Sequence, residues 1–321
     1  MTSISDKVKF KLMKVKNPFS KVFSTEDSRF MLMVGLKVVA LPILASSFLL
    51  YMFWLTVHMN LIYFEANGFR GLEELREAYY GFIFNQVSNI IPWAGLFLIC
   101  LFLSGLYMGS LLLRPFKIIG DYCDQAVNDP NSSYEPDMFS DFKLLTRFSE
   151  FFFAYVLQCR KEGKLNMNII PPSFTKIHKP VFDRVFFFHY FLYLSIISIT
   201  SSVFMITIAD DIQESIIELA IKSLKLSGKN STYFLQEQSF MFNTMIWVAV
   251  AIVAIGYLFL AFHLYNRVAG AAFGFFTTMR SFMKGSYHNR VHLLDFNHVR
   301  PFSRSFNKFL DYLQKNLEHK K

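Results

Sequence analysis

Cysteine is scarce in this chain: three residues in 321, Cys100, Cys123 and Cys159. They make neither a disulfide framework nor a CxxC metal pair. The short motifs that carry catalysis are missing as well, with no P-loop, no GxSxG and no HExxH. His288, His292 and His298 lie close together in sequence, but no Cys or Glu constellation accompanies them, so they read as solvated or lipid-facing and not as metal ligands. No catalytic, metal or cofactor-binding residue is assigned, no cofactor is expected, and the chain reads as a non-enzyme. A cleavable signal peptide is not visible either. Residues 1–30 precede the first apolar run, which is too long for an h-region and is followed by no A-x-A site, so it reads as a retained anchor.

Charge is also low, at 18% Asp, Glu, Lys and Arg, against 53% hydrophobic and 18% aromatic residues and a mean hydropathy of +0.31. That balance is too apolar for an ordinary soluble domain. The apolar residues fall in four runs, Val38–Val57, Trp93–Leu113, Val185–Ala209 and Thr244–Tyr265, each near the roughly 20 residues that cross a bilayer core. Basic residues set the orientation. Residues 1–37 hold 8 Lys/Arg against 3 Asp/Glu and residues 267–321 hold 10 against 3, while 58–90 hold 2 against 4 and 210–243 hold 3 against 5. Both termini, and the segment 114–184 with its 10 Lys/Arg, therefore belong on the cytoplasmic side. The net charge of +9 is a topology signal, and no nucleic-acid partner is expected. Lys7, Lys9, Lys11, Lys14 and Lys16 alternate with apolar residues and are candidates to meet lipid headgroups; a positive anchor without structure explains them equally well.

The chain also repeats itself, about 155 residues apart. Asp141-Phe142-Lys143-Leu144-Leu145-Thr146-Arg147-Phe148-Ser149 and Asp295-Phe296-Asn297-His298-Val299-Arg300-Pro301-Phe302-Ser303 share Asp, Phe, Phe and Ser at one offset, and the same offset superposes the apolar runs. Both copies then continue with one spacing. Leu145, Phe148, Phe152, Tyr155 and Cys159 step by 3, 4, 3, 4, as do Val299, Phe302, Phe306, Phe309 and Leu313, the spacing of a coiled-coil seam. Upstream, Pro115, Ile119, Tyr122 and Ala126, and Ala272, Phe275, Met279 and Phe282, mark a preceding helix in each half. The pattern predicts two short amphipathic helices joined by a connector after each hairpin.

This arrangement resembles the HAMP domain, the signal-converting module found just inside the membrane in chemoreceptors, sensor kinases and nucleotide cyclases. Over 266–317, Arg267-Val268-Ala269-Gly270 is similar to its entry motif and Lys284-Gly285 to the glycine after its first helix. Val291 and Leu293 are similar to its connector hydrophobics, and Phe306-Asn307-Lys308-Phe309 to its "FN" motif. Over 114–159 the likeness rests on Arg114-Pro115-Phe116, similar to the family's Arg-Pro-Leu entry. Asn128-Asp129-Pro130 stands there where a connector glycine is usual, the second copy has Ala271 after Gly270 in place of the entry proline, and neither copy has the family's Asp-Glu pair. Both copies are thus degenerate, and generic amphipathic juxtamembrane helices are the plainer alternative. The resemblance implies a parallel four-helix bundle, closed by homodimerisation in most members. Two copies after an even number of spans share one orientation, so here the bundle could close as a pseudo-dimer within one chain or as a homodimer.

The expected protein is all-α and polytopic, with four transmembrane helices in two tandem hairpins, each followed by a HAMP-like helix pair. Its parts are a basic cytoplasmic segment at 1–30, hairpin 1 at 31–113 (spans 31–57 and 91–113, periplasmic loop 58–90) and a HAMP-like segment and linker at 114–184. Hairpin 2 follows at 185–266 (spans 185–209 and 244–266, periplasmic loop 210–243), then a second HAMP-like segment at 267–321. The loops, with amphipathic stretches Leu72–Ile90 and Ile212–Leu226, are smaller than folded ligand-binding domains of roughly 50–200 residues and read as short helical caps or partner surfaces. His189 and His263, as ionisable groups in or at the end of spans, are expected to pair with Ser or backbone, and Lys37 to snorkel to the inner interface. Asp210-Asp211 marks an outer boundary. The functional expectation is a bacterial inner-membrane regulatory protein that relays conformational change to a cytoplasmic partner of kinase, chemoreceptor or other output type. The alternative is a structural or assembly subunit of a larger envelope complex. A small transporter built from a parallel repeat would need polar or broken positions mid-span, which are nearly absent.

Overall fold

A computed structural model describes residues 26–66, 71–129, 132–136, 143–175, 184–224, 229–293 and 296–317. These form seven α-helices and one 3-10 turn, with no strand among the described residues: α1 Glu26–Ala66, α2 Leu72–Asn128, α3 Lys143–Glu162, α4 Pro172–Thr175, α5 Arg184–Leu224, α6 Lys229–Met283, the 3-10 turn Asn297–Val299, and α7 Arg300–Leu317. Four helices are long and apolar enough to cross a membrane, over Glu26–Ala66, Leu72–Asn128, Phe186–Leu219 and Gln236–Met283. The protein is an all-helical, multi-pass membrane protein.

The helices are longer than the apolar runs. The inter-span segments 58–90 and 210–243, whose amphipathic stretches read as short helical caps, are largely helix: α1 runs on to Ala66 and α2 starts at Leu72, just after Gly71. The amphipathic stretches account for this, since Leu75 and Tyr79 are buried on one face and Glu73 and Glu74 sit at the positive end of the α2 dipole. At the other end, no break separates span from seam. α2 has 57 residues and α6 has 55, about 85 Å each, well beyond a hydrocarbon core of about 30 Å. The first helix of each expected juxtamembrane pair is therefore the continuation of a span.

The chain divides into two compact units. One contains Val34–Tyr107 and Phe182–Arg267. Its four helical segments form a ring in which every neighbouring pair is antiparallel: Gly35 meets Gly105 (α1 and α2), Phe53 meets Phe242 (α1 and α6), Phe97 stacks on Phe204 (α2 and α5), and Phe187 meets Tyr265 (α5 and α6). α1 and α2 cross so closely that a Cβ on Gly105 would lie 2.6 Å from the Gly35 Cα, so only glycine fits there. Inside lie Val38, Ala45, Leu49, Ala249, Val253 and Ala261, while Leu36, Leu96, Ile99, Ile196, Ile199, Trp247 and Phe259 face outward and exposed. Helices apolar on both faces are those of a membrane interior.

Six hydroxyls of this unit are satisfied within their own helices, as a solvent without hydrogen bonds requires. Ser47, Thr56, Ser195, Thr200, Thr207 and Thr244 each donate to the carbonyl four residues back. Pro42 sits inside α1 and has no N–H to offer the carbonyl of Val38, one turn earlier. Tyr257 of α6 fills that vacancy, its hydroxyl donating to the Val38 oxygen at 2.8 Å. His263 pairs neither with Ser nor with backbone, contrary to expectation; its Nε2 lies 3.4 Å from Lys37 Nζ. His189 is exposed beside Phe188, and Asp210 and Asp211 are exposed on α5.

Tyr257→Phe is expected to cost about 1–2 kcal/mol by leaving the Val38 carbonyl unpaired. Pro42→Ala restores an N–H to that carbonyl, so in a Pro42→Ala background the same change should cost markedly less. Thermal unfolding of the four proteins in detergent measures the coupling; additive effects would show that the two groups are independent.

Candidate functional site: a parallel helical bundle

The second unit takes the described residues that fall within 1–33, Met108–Val181 and Val268–Lys321. The N-terminal lysines Lys7, Lys9, Lys11, Lys14 and Lys16 lie outside the described residues, as do Asp141, Phe142 and Asp295 of the repeated string. All ten seam residues named from the sequence, Leu145, Phe148, Phe152, Tyr155, Cys159, Val299, Phe302, Phe306, Phe309 and Leu313, are buried. So are the upstream positions Pro115, Ile119, Tyr122 and Ala126, and Ala272, Phe275, Met279 and Phe282.

These residues meet within the one chain, in four helical segments that all run the same way. Between α2 and α3, Pro115 shares a crevice with Leu145, Tyr122 packs on Phe153 at 4.5 Å, and the Arg160 guanidinium donates to the Ala126 carbonyl at 3.0 Å. Both numbers of each pair rise together, which defines a parallel pair. The same holds between copies. Phe148 lies 4.4 Å from Phe276 and Phe152 6.1 Å from Phe282 (α3 and α6), while Phe302 lies on Gly120 and Ser305 Oγ donates to Asp124 Oδ2 at 2.7 Å (α2 and α7). Across the centre, Phe152 meets Phe306 at 5.8 Å and Phe116 meets Phe275 at 5.5 Å. Each copy's second helix thus lies between its own first helix and that of the other copy. Phe116, Phe153, Phe276 and Leu310 are buried beside the seam positions, so the buried stripe is wider than the two positions per heptad read from the sequence.

Parallel helices need a connector that returns the chain to its starting level, and the two connectors are held by different chemistry. In the second copy, α6 ends in a Schellman turn: Gly285 adopts φ +95°, its N–H donates to Phe282 O, and Ser286 N–H donates to Ser281 O. Asn307 then takes both ends of one peptide residue. Its Oδ1 accepts from the Val291 N–H at 2.8 Å and its Nδ2 donates to the Val291 carbonyl at 3.0 Å. Arg290 adds bonds to Asp311, Gln314 and the Tyr287 carbonyl, and Gln314 reaches His288 Nδ1 at 2.8 Å. Gly270 faces the Phe296 ring. In the first copy, α2 stops at Asn128, two residues before Pro130. The connector there is held by aromatics: Tyr134 packs on Tyr122 and Phe153 and hydrogen-bonds Ser149 Oγ at 3.0 Å. Arg114, at the head of that copy, is exposed.

Three features were not legible in the sequence. Phe30, in the first turns of α1, stacks on His298 at 4.4 Å, and Glu26 pairs with Arg300 at 3.8 Å. His298 is therefore buried, not solvated or lipid-facing as expected. The chain after α3 lies along α6, with the Asn168 N–H donating to Met283 O, Met167 over Gly285 and Phe174 on Phe148. Tyr155 closes α3 onto that segment by donating to Asn166 O at 2.7 Å. Burial pushes the Tyr155 phenol well above its ordinary range, so it remains a donor at neutral pH. Among the described residues no group of three or more His, Cys, Asp or Glu is placed to hold a metal ion.

No family model, no curated protein and no solved structure matches this chain.

Asn307→Ala removes two hydrogen bonds and leaves the buried Val291 peptide unpaired, an expected loss of about 2 kcal/mol. Hydrogen exchange read by mass spectrometry should speed up over 285–293 and stay unchanged over 132–136, where no asparagine holds the connector. Equal acceleration of both stretches would contradict a local tie.

Proposed function

We propose that this protein is a non-enzymatic relay of the bacterial inner membrane, with both termini in the cytoplasm, in which two degenerate HAMP-like copies close one bundle in cis and pass conformational change to a separate cytoplasmic output protein. The observation that carries the reading is the parallel bundle of two helix pairs whose seams cover each other. Heptad spacing, parallel direction, a glycine turn and a connector tied to the second helix are together what a HAMP-like converter requires. α2 and α6 favour a moving role, because each is one helix that contains both an apolar stretch and seam residues, the kind of element along which rotation or axial displacement is relayed. The excess of Lys and Arg at both termini supports the orientation.

The runner-up, a fixed scaffold within a larger envelope complex, draws support from the number of ties on the second connector. Two measurements test these readings. With cysteines at Asp124 and Ser305, whose side chains touch across the two copies, oxidation should give a disulfide within one chain, seen as a mobility shift without a dimer band. Exclusively intermolecular products would exclude closure in cis. Identification of the proteins that copurify in mild detergent separates the roles. A kinase-type or methyl-accepting protein is expected for a relay, whereas a stoichiometric multi-subunit particle without one would favour the scaffold.

A further inference from the structure

Lys37 stands immediately before the apolar run of α1, and His263 and Arg267 stand at the end of the apolar run of α6, one helical turn apart on one face. Folding brings two of them together, with Lys37 Nζ 3.4 Å from His263 Nε2, and Arg267 follows His263 by one turn on the same face of α6. Among the described residues no carboxylate lies within ion-pair distance of any of the three. Lys37 donates to the neutral His263 imidazole, which leaves the Lys37 ammonium and the Arg267 guanidinium as two like charges at the rim of a low-dielectric region, and a fold that holds them there is stabilised by an anion. The surroundings narrow the kind of anion. Leu36 is 62% exposed, Phe259 70% and Phe262 45%, so the cluster opens onto a surface suited to hydrocarbon.

We propose that Lys37, His263 and Arg267 form a seat for the phosphate of one anionic phospholipid, whose acyl chains lie along Leu36, Phe259 and Phe262. A phospholipid supplies negative charge at the polar boundary and hydrocarbon beside it in one molecule. Free phosphate would neutralise the cations and leave the apolar flank unused. Basic pockets between membrane helices are recurrent places for such headgroups. The site is independent of the relay reading, since it needs only that α1 and α6 cross a membrane.

The test is native mass spectrometry of the delipidated full chain titrated with phosphatidylglycerol and, separately, with phosphatidylcholine of the same chains. One phosphatidylglycerol should be retained about tenfold better than phosphatidylcholine. Lys37→Gln with Arg267→Gln should abolish that preference without changing phosphatidylcholine retention, and Lys37→Arg with Arg267→Lys should keep it. Lys37→Gln alone, at a half-buried position, should weaken the preference several-fold and serves as the reading if the double variant does not fold. Equal retention of the two lipids by the native sequence, or an unchanged preference in the glutamine variants, would overturn the proposal. So would loss of bound phosphatidylglycerol to millimolar inorganic phosphate, which would assign the cluster to free anions.

Discussion

An amphipathic helix pair with apolar residues every third and fourth position cannot cover its own seam, and the bundle unit follows from how that seam is covered. Phe116, Phe148, Phe152, Phe153, Phe275, Phe276, Phe282 and Phe306 are all fully buried. At about 1.5–3 kcal/mol for each such side chain, their burial outweighs the polar ties of the unit, which contribute about 1 kcal/mol apiece. The contact of Phe152 with Phe306, one position in each copy, is where the two halves become one core. Parallel direction then forces each connector to travel back along the bundle, and the polar and aromatic ties on Val291 and Tyr134 are the consequence.

The other unit obeys a different balance, because hydrocarbon on its outside is as apolar as its interior and burial of leucine between helices gains little. What holds its helices is close approach, as at Gly35 and Gly105, and hydrogen bonds that no solvent competes for. Pro42 and Tyr257 show both sides of that rule: the proline strips a carbonyl of its partner, and the tyrosine of another helix replaces it. In water such a vacancy would be hydrated at small cost.

The two seam segments share their spacing and differ in how their connectors are held. At the offset of the repeat, Asn307 corresponds to Phe153, and each holds its own connector, one through the Val291 peptide and the other through the Tyr134 ring. A homodimeric module must use one solution twice. A pair of seams on one chain is free to use two, and these connectors do.

The helical class, the four apolar runs and the seam from Leu145 to Leu313 were legible in the sequence, since periodicity over a few turns is a local property that solvent polarity alone selects. Helix ends were less legible. The stretch between Val57 and Trp93 reads as a short helical cap, whereas the structure carries α1 on to Ala66 and starts α2 at Leu72, with Leu75 and Tyr79 buried on one face. Partners far apart in sequence were not legible at all. Lys37 with His263, Phe30 with His298, Tyr257 with the Val38 carbonyl and Asp124 with Ser305 carry no mutual signal along the chain. The sequence by itself determined which faces must be hidden from water; which face hides which was decided by the tertiary structure, because a seam of phenylalanines specifies that it be covered but not by what.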